Sequence, residues 1–384
     1  MQANDNLQCA MSKKTKHTNA YISHKRQGIQ VAYPTSLSYY RANPDYPNDH
    51  VLVSQKKNND SRVARMADAL MDPHWQGSAP RRQIPADLSE LKEMIEISAN
   101  ELQFDIEIGR GSCGTVYKAR WCGHDVACKK FAKDEVDAKK AMQFFKELQI
   151  SYKASNHPNV LRYYGFCQKP LCLVMEYMDG GSVQEYLHHD SPQSIQISSL
   201  QRLKIAKQVA LGINHLHQHN IVHRDIAARN LLMKNPKTHP GDFVIVISDF
   251  GMSQIMNEET YNNTYTSIGP LKWMAPETLN EHPRFSTKSD VYSFGITLWE
   301  LLTGQEPYAD IDPLNAAVQV VVAQLRPTLY EFIDVKIQSL LKRCWDNDPS
   351  KRPDFPEIIL LLEKIIEREE KKLQRKLDDS DNDD

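Results

Sequence analysis

The sequence has no long hydrophobic run. Its longest apolar stretches, such as Val320–Ala323 and Ile358–Leu362, stop at polar or charged neighbours, far short of the roughly 18 residues a bilayer-spanning helix needs. No transmembrane segment is expected. The stretch from Met1 to Ala20 is polar and lacks the apolar core of a secretory leader, and Gln2 does not fit the myristoylation pattern. A reducing, cytoplasmic location is the expectation. Paired cysteines are also missing: the seven, at 9, 113, 122, 128, 167, 172 and 344, are odd in number and irregularly spaced, with no Cys-x-x-Cys or histidine partner pattern. This excludes a disulfide framework and a zinc module, and leaves free thiols. Nor does charge of one sign dominate, since 47 basic residues face 49 acidic ones for a net charge of −2. Nothing in that balance points to nucleic acid or a membrane surface. No internal repeat of the length that marks solenoids or propellers is visible.

What is present is an ordinary globular composition, 41% hydrophobic and 25% charged over 384 residues, enough for a sizeable core. Residues 1–100 are rich in polar residues and proline and read as a mostly disordered arm, with a short apolar period across Val63–Met71. A docking helix is expected near 88–97, where Leu88, Leu91, Met94 and Ile95 recur at helical spacing behind a possible cap at Asp87. From Glu101 the pattern becomes β-rich: Phe104–Ile108, Thr115–Trp121 and Asp125–Phe131 are short branched or alternating runs, interrupted by one helix over about Glu135–Ala154. After Gly180–Gly181 come long apolar-periodic segments at Leu200–Gln218, Asp290–Leu302, Leu314–Gln324, Ile333–Cys344 and Pro356–Leu373. The expected architecture is α+β and bilobal, with an N-lobe over 101–178, a helical C-lobe over 179–366 and a charged tail over 367–384.

Three segments carry chemistry. Ile108-Gly109-Arg110-Gly111-Ser112-Cys113-Gly114-Thr115-Val116 places glycines where a hairpin backbone must approach phosphate oxygens, and strand follows it, whereas a dinucleotide-binding loop would need a helix. In Val126-Ala127-Cys128-Lys129 a lysine on an alternating strand can reach those phosphates, with Glu147 on the next helix as its ion-pair partner. Lys130 competes with it, but strand alternation sends the two to opposite faces. His223-Arg224-Asp225-Ile226-Ala227-Ala228-Arg229-Asn230, followed by Asp249-Phe250-Gly251, supplies a carboxylate to take a hydroxyl proton and oxygen ligands for Mg²⁺.

With Ala275-Pro276-Glu277, Asp290-Val291-Tyr292-Ser293-Phe294-Gly295 and Arg352, these motifs resemble the eukaryotic protein kinases over about Leu102–Ile366. The resemblance implies the two-lobed kinase fold, ATP and Mg²⁺ as cofactors, and protein substrates. It implies Asp225 as catalytic base, Lys129 on the α- and β-phosphates paired with Glu147, and Asn230 and Asp249 as metal ligands. Ile108, Gly109, Gly111, Gly114 and Val116 would cover the nucleotide, Ala127 and Leu232 would sandwich adenine, and Glu176 and Met178 would offer hinge backbone groups. Met175 stands at the gatekeeper position. Glu277 would brace the activation segment through Arg352, and Asp290 would hold the His223–Arg224 backbone.

Acceptor specificity is read from Ala227-Ala228-Arg229 and Pro270-Leu271-Lys272-Trp273, which look like the tyrosine-kinase versions, with Arg229 contacting the transferred phosphate. Trp121-x-Gly123 and Glu300-Leu301-Leu302-Thr303-Gly304-Gln305 look instead like the tyrosine-kinase-like group, mostly serine/threonine kinases. The expectation is a non-receptor tyrosine kinase, with dual or serine/threonine specificity as the alternative and a pseudokinase scaffold as the rival class. Two departures stand out: a long hairpin turn over Asn235–Gly241, and Ser151 at a place the family usually fills with an apolar residue, expected to weaken the packing of its helix. Tyr261, Thr264, Tyr265, Thr266 and Ser267 are candidate activation-loop phosphosites against Arg224, and Cys113 a candidate oxidation site.

Overall fold

A computed structural model of the chain describes residues 94–380, apart from 112–113, 132–137, 189–196, 235–242 and 257–270. The long hairpin turn, the candidate phosphosites, Cys113 and the arm up to residue 93 lie outside the described residues. Five antiparallel strands form the first sheet: β1 (Gln103–Gly111), β2 (Gly114–Trp121), β3 (His124–Lys130), β4 (Tyr163–Gln168) and β5 (Leu171–Glu176), in the spatial order β1-β2-β3-β5-β4. Helix α1 (Ala138–Ala154) is inserted between β3 and β4. Period-2 alternation gives the sheet two apolar faces. One gathers Trp121, Val126, Cys128, Cys172 and Val174. The other meets α1 through Phe131, Phe144, Leu148, Phe166 and Leu173.

The helix expected near 88–97 is not formed over its described part. Residues 94–97 run extended along β4, with Ile97 N–H donating to Phe166 O at 2.8 Å and Phe166 N–H to Ile95 O at 3.0 Å. Met94 and Ile97 are buried there at 1% exposure each, so the apolar spacing serves two pockets beside an edge strand rather than one face of a helix. The folded part therefore includes residues just ahead of the expected boundary at 101.

The second lobe is helical: α2 (Val183–His188), α3 (Ser199–Gln218), α4 (Thr287–Thr303), α5 (Pro313–Val322), α6 (Val335–Cys344) and α7 (Phe355–Ser380). Short ribbons β6 (Ile221–Val222) with β9 (Gln254–Ile255), and β7 (Leu231–Lys234) with β8 (Val244–Ile247), lie among them. Helix α3 starts on a reciprocal cap, Gln201 N–H to Ser198 Oγ and Ser198 N–H to Gln201 Oε1 at 2.8 Å, which satisfies two otherwise orphaned donors. Helix α4 is buried on all sides from Ser289 to Leu301, as the central post of a bundle must be. Helix α7 continues through the expected boundary at 366 to Ser380, tied down by Lys207–Glu363 at 3.0 Å, Lys204–Glu370 at 2.8 Å and Arg368–Asp334 at 2.7 Å. Cysteines 122, 128, 167, 172 and 344 are free thiols. Among the described residues no helix is long and apolar enough to cross a membrane.

Candidate active site

Strand β3 faces β2 and β5 in a register that sets Lys129 opposite Val116 and Leu173, and Ala127 opposite Lys118 and Met175. Lys129 is buried, and its Nζ donates to Glu147 Oε1 on α1 at 2.6 Å and to Asp249 Oδ1 at 2.8 Å. Burial weighs against its charge, yet the Glu147 and Asp249 carboxylates outweigh it and raise the Lys129 pKa. The lysine is thus a permanent cation. Lys130 goes to the other face, stacked over Phe104 and Tyr117 at 4.8 and 5.3 Å. Strand alternation settles that competition as expected.

The glycine-rich loop is the β1–β2 hairpin, with Gly109 opposite Val116 and Gly111 opposite Gly114. At Gly114 the backbone has φ +154°, and a Cβ there would lie 2.3 Å from Lys130 O. Glycine is required for that close approach. Behind the hairpin, Met178, Val246 and Leu161 form an apolar cluster with Leu232 and Met175 packed on it. Ile108 on β1 is 42% exposed. The hinge is held by Gly180 N–H to Met233 O and Met233 N–H to Gly181 O, both at 2.9 Å, and by the Lys234–Glu176 ion pair at 2.9 Å. The Glu176 N–H is already donated to Arg162 O.

The segment 223–230 is wired into place by α4. Asp290, fully buried, accepts from His223 N–H and Arg224 N–H at 2.9 Å each, and from the His217 side chain at 2.9 Å. Asp225 follows at 8% exposure, ion-paired with Arg229, while Asn230 Nδ2 donates to Asp225 O at 2.8 Å. Burial raises the Asp225 pKa, and the Arg229 and His223 charges oppose it. Burial likewise acts to raise Asp249, but Lys129 beside it holds its carboxyl below the usual carboxylate range. A carboxylate pushed toward accepting a proton therefore stands with one held ionised. This is the division of labour that phosphoryl transfer asks for. The oxygen donors suit a hard cation: Asn230 spends its amide nitrogen on Asp225 and keeps its oxygen, and Asp249 uses Oδ1 for Lys129 and Gly251 and keeps Oδ2.

Three supporting side chains were missed by the reading of motifs. Glu300, at 0% exposure on α4, accepts from Trp273 Nε1 at 3.0 Å and Ala228 N–H at 3.4 Å and faces His188 Nε2 at 3.3 Å. It fastens the 271–273 segment to the 223–230 loop, and its signal was a lone acid inside an apolar helical run. Ser253 Oγ donates to His223 O at 3.1 Å and Thr297 Oγ1 to Ile226 O at 3.2 Å, closing the loop from both sides. Glu277 and Arg352 form the expected brace at 2.6 and 2.8 Å. Ser151 is buried in α1, and its neighbour Ile150 clusters with Ala154, Val160 and Phe250.

Residues 102–362 match the family described as protein tyrosine and serine/threonine kinase. Curated relatives include the serine/threonine-protein kinase STY46 of Arabidopsis thaliana, 40% identical over 72% of this chain and 47% of that protein. The serine/threonine/tyrosine-protein kinase HT1 of the same plant is 33% identical over 76% of this chain and 71% of that protein. The dual specificity protein kinase splA of Dictyostelium discoideum is 35% identical over 70% of this chain and 12% of that protein. The chain spans less than half the length of STY46.

Proposed function

Since the chain belongs to the protein tyrosine and serine/threonine kinase family, we propose that it transfers the γ-phosphate of ATP to serine and threonine hydroxyls of protein substrates, with tyrosine as a second acceptor. The observation that carries the reading is Lys129 bonded to both Glu147 and Asp249. That joins the nucleotide strand, α1 and the metal-ligand loop in one arrangement. Serine/threonine preference, which replaces the tyrosine preference expected from motifs, is supported by relatives that are themselves named serine/threonine-protein kinases. The tyrosine-competent reading is supported by Arg229, whose guanidinium stands 5.5 Å over the Trp273 ring beside Asp225, and by the naming of HT1 as a serine/threonine/tyrosine kinase.

In this mechanism Lys129 orients the α- and β-phosphates, and the glycine hairpin lies over them. Asp225 orients the attacking hydroxyl and takes its proton, Arg229 holds the Asp225 carboxylate, and Asp290 keeps the backbone of the loop from moving. Asn230 and Asp249 would hold Mg²⁺, which when bound neutralises charge developing on the phosphates. The rate comes from positioning and preorganised charge. Control by phosphate on the 257–270 segment is part of the proposal. Arg224 carries a buried Nε without a partner, and burial together with Arg224 brings Lys146 down to about 8, so an added anion there would compensate two crowded cations.

The test is phosphoamino-acid analysis of the full chain with labelled ATP, Mg²⁺ and a mixed serine, threonine and tyrosine peptide pool, with Asp225→Asn as control. Label mainly on serine and threonine that vanishes in the control is expected. Label on tyrosine alone would overturn the proposed preference. Equal label in the control would remove Asp225 from its role.

A further inference from the structure

Helix α5 presents an apolar face that nothing in the described fold covers. Its ten residues, Pro313–Val322, contain no charged side chain. Ala316, Ala317 and Val320 are buried toward the 271–278 segment, while Leu314, Val318 and Val322 are 65%, 52% and 79% exposed. Spaced four residues apart, these three lie in one row about 12 Å long. Single exposed aliphatics are ordinary, but three in a row on an uncharged helix make a patch that invites a partner. Asp310 and Asp312, both exposed, stand at its N-terminal end.

We propose that this face is covered by residues 62–71 of the same chain. Val63, Met66, Ala67 and Leu70 recur there at i, i+3, i+4 and i+7, an apolar stripe matching the α5 row, with Arg62 and Arg65 beside it. With Asp68 included the segment keeps a net charge of +1, opposite in sign to Asp310 and Asp312. The linker reaches: residues 72–93 separate the segment from Met94, which is anchored under β4, and a chain of that length spans up to about 75 Å. A domain of this size has a radius of gyration near ~19 Å and so a diameter of about 50 Å. Tethering supplies an effective concentration of order millimolar, so a weak apolar contact is occupied without a second molecule. The inference stands on the α5 surface and the arm, and does not depend on the reaction proposed above.

The experiment places the photoreactive residue benzoylphenylalanine at Val318, and in a second variant at Val322, in the full chain. Each is irradiated at low micromolar concentration and the products are sized and mapped by mass spectrometry. A monomer-sized product joining α5 to residues 62–71 is expected. Met66→Asp with Leu70→Asp, outside the described fold, is expected to reduce its yield at least about tenfold without changing the melting temperature. A product of twice the monomer mass would assign the face to a second copy, and capture by an added protein substrate in preference to the arm would assign it to substrate; either overturns the proposal. So would intrachain products mapping elsewhere, no product at either position, or a yield unaffected by the double variant.

Discussion

The brace between Glu277 and Arg352 offers the sharpest test of the packing. Its guanidinium is fully buried, with a side-chain exposure of 0% against 15% for Glu277, and the two make a forked pair at 2.6 and 2.8 Å. Arg352 also donates to Asp346 O and Lys288 O at 2.9 Å each and lies 5.1 Å over the Tyr292 ring. Replacing Glu277→Gln keeps the volume but leaves a buried cation facing an amide. At an effective dielectric near 20 the direct attraction is about 6 kcal/mol at this distance. Part of that is recovered by the two carbonyls and the ring, so the net loss is about 3–5 kcal/mol, the usual cost of removing one partner of a buried pair. For a domain of this size that lowers the melting temperature on the order of 10 °C, readable by calorimetry or by circular dichroism. Glu277→Leu combined with Arg352→Met removes both charges and should recover most of the loss, giving a coupling well above about 1 kcal/mol in the double-mutant cycle. If Glu277→Gln melts within about 2 °C of the parent, the carbonyls alone hold Arg352, and the brace assigned to Glu277 is refuted.

Two further perturbations probe other parts of the site. Asp290→Asn should lower kcat by tenfold or more (about 1.4 kcal/mol) with little change in the KM for ATP, because one amide oxygen cannot serve the His223, Arg224 and His217 donors that the carboxylate now accepts; a KM effect alone would contradict a positioning role. The clustered rings of His157, His215 and His219, with centroids 4.8 and 4.3 Å apart, make stability fall in mild acid. Burial and neighbouring imidazoles lower both His157 and His215 to about 4, so the unfolded chain takes up protons first and stability drops as pH falls from about 6.5 toward 4. With both rings partly solvent-screened, the loss should be about 1–2 kcal/mol in total. Urea unfolding at pH 7 and pH 5 reads it, and His215→Gln should flatten the difference; an unchanged slope in that variant would exclude the cluster as its source.

Much of the site was legible along the chain because its parts are local. Strand alternation put Lys129 and Lys130 on opposite faces, with the ion pairs of Lys129 deciding which of them meets Glu147 and Asp249, and a hairpin followed by strand already separated the glycine-rich loop from a dinucleotide fold. Asp225, Arg229 and Asn230 lie within one short loop, so their meeting follows from five residues of backbone. Most helix positions followed from apolar periods to within a few residues, since burial of one face dictates them; the short α2 carried no such period, and α7 runs on from Leu373 to Ser380. The three-dimensional packing decided the rest. Lys129 meets an acid 120 residues away, Glu300 joins the 271–273 segment to the 223–230 loop, and three histidines from two segments cluster, none of which a local period records. Residues 94–97 show the converse: their spacing is helical on paper, yet the unpaired edge of β4 and two apolar pockets beside it draw the chain out straight. Local sequence sets which way a side chain points within its element; which partner waits there depends on how the elements pack.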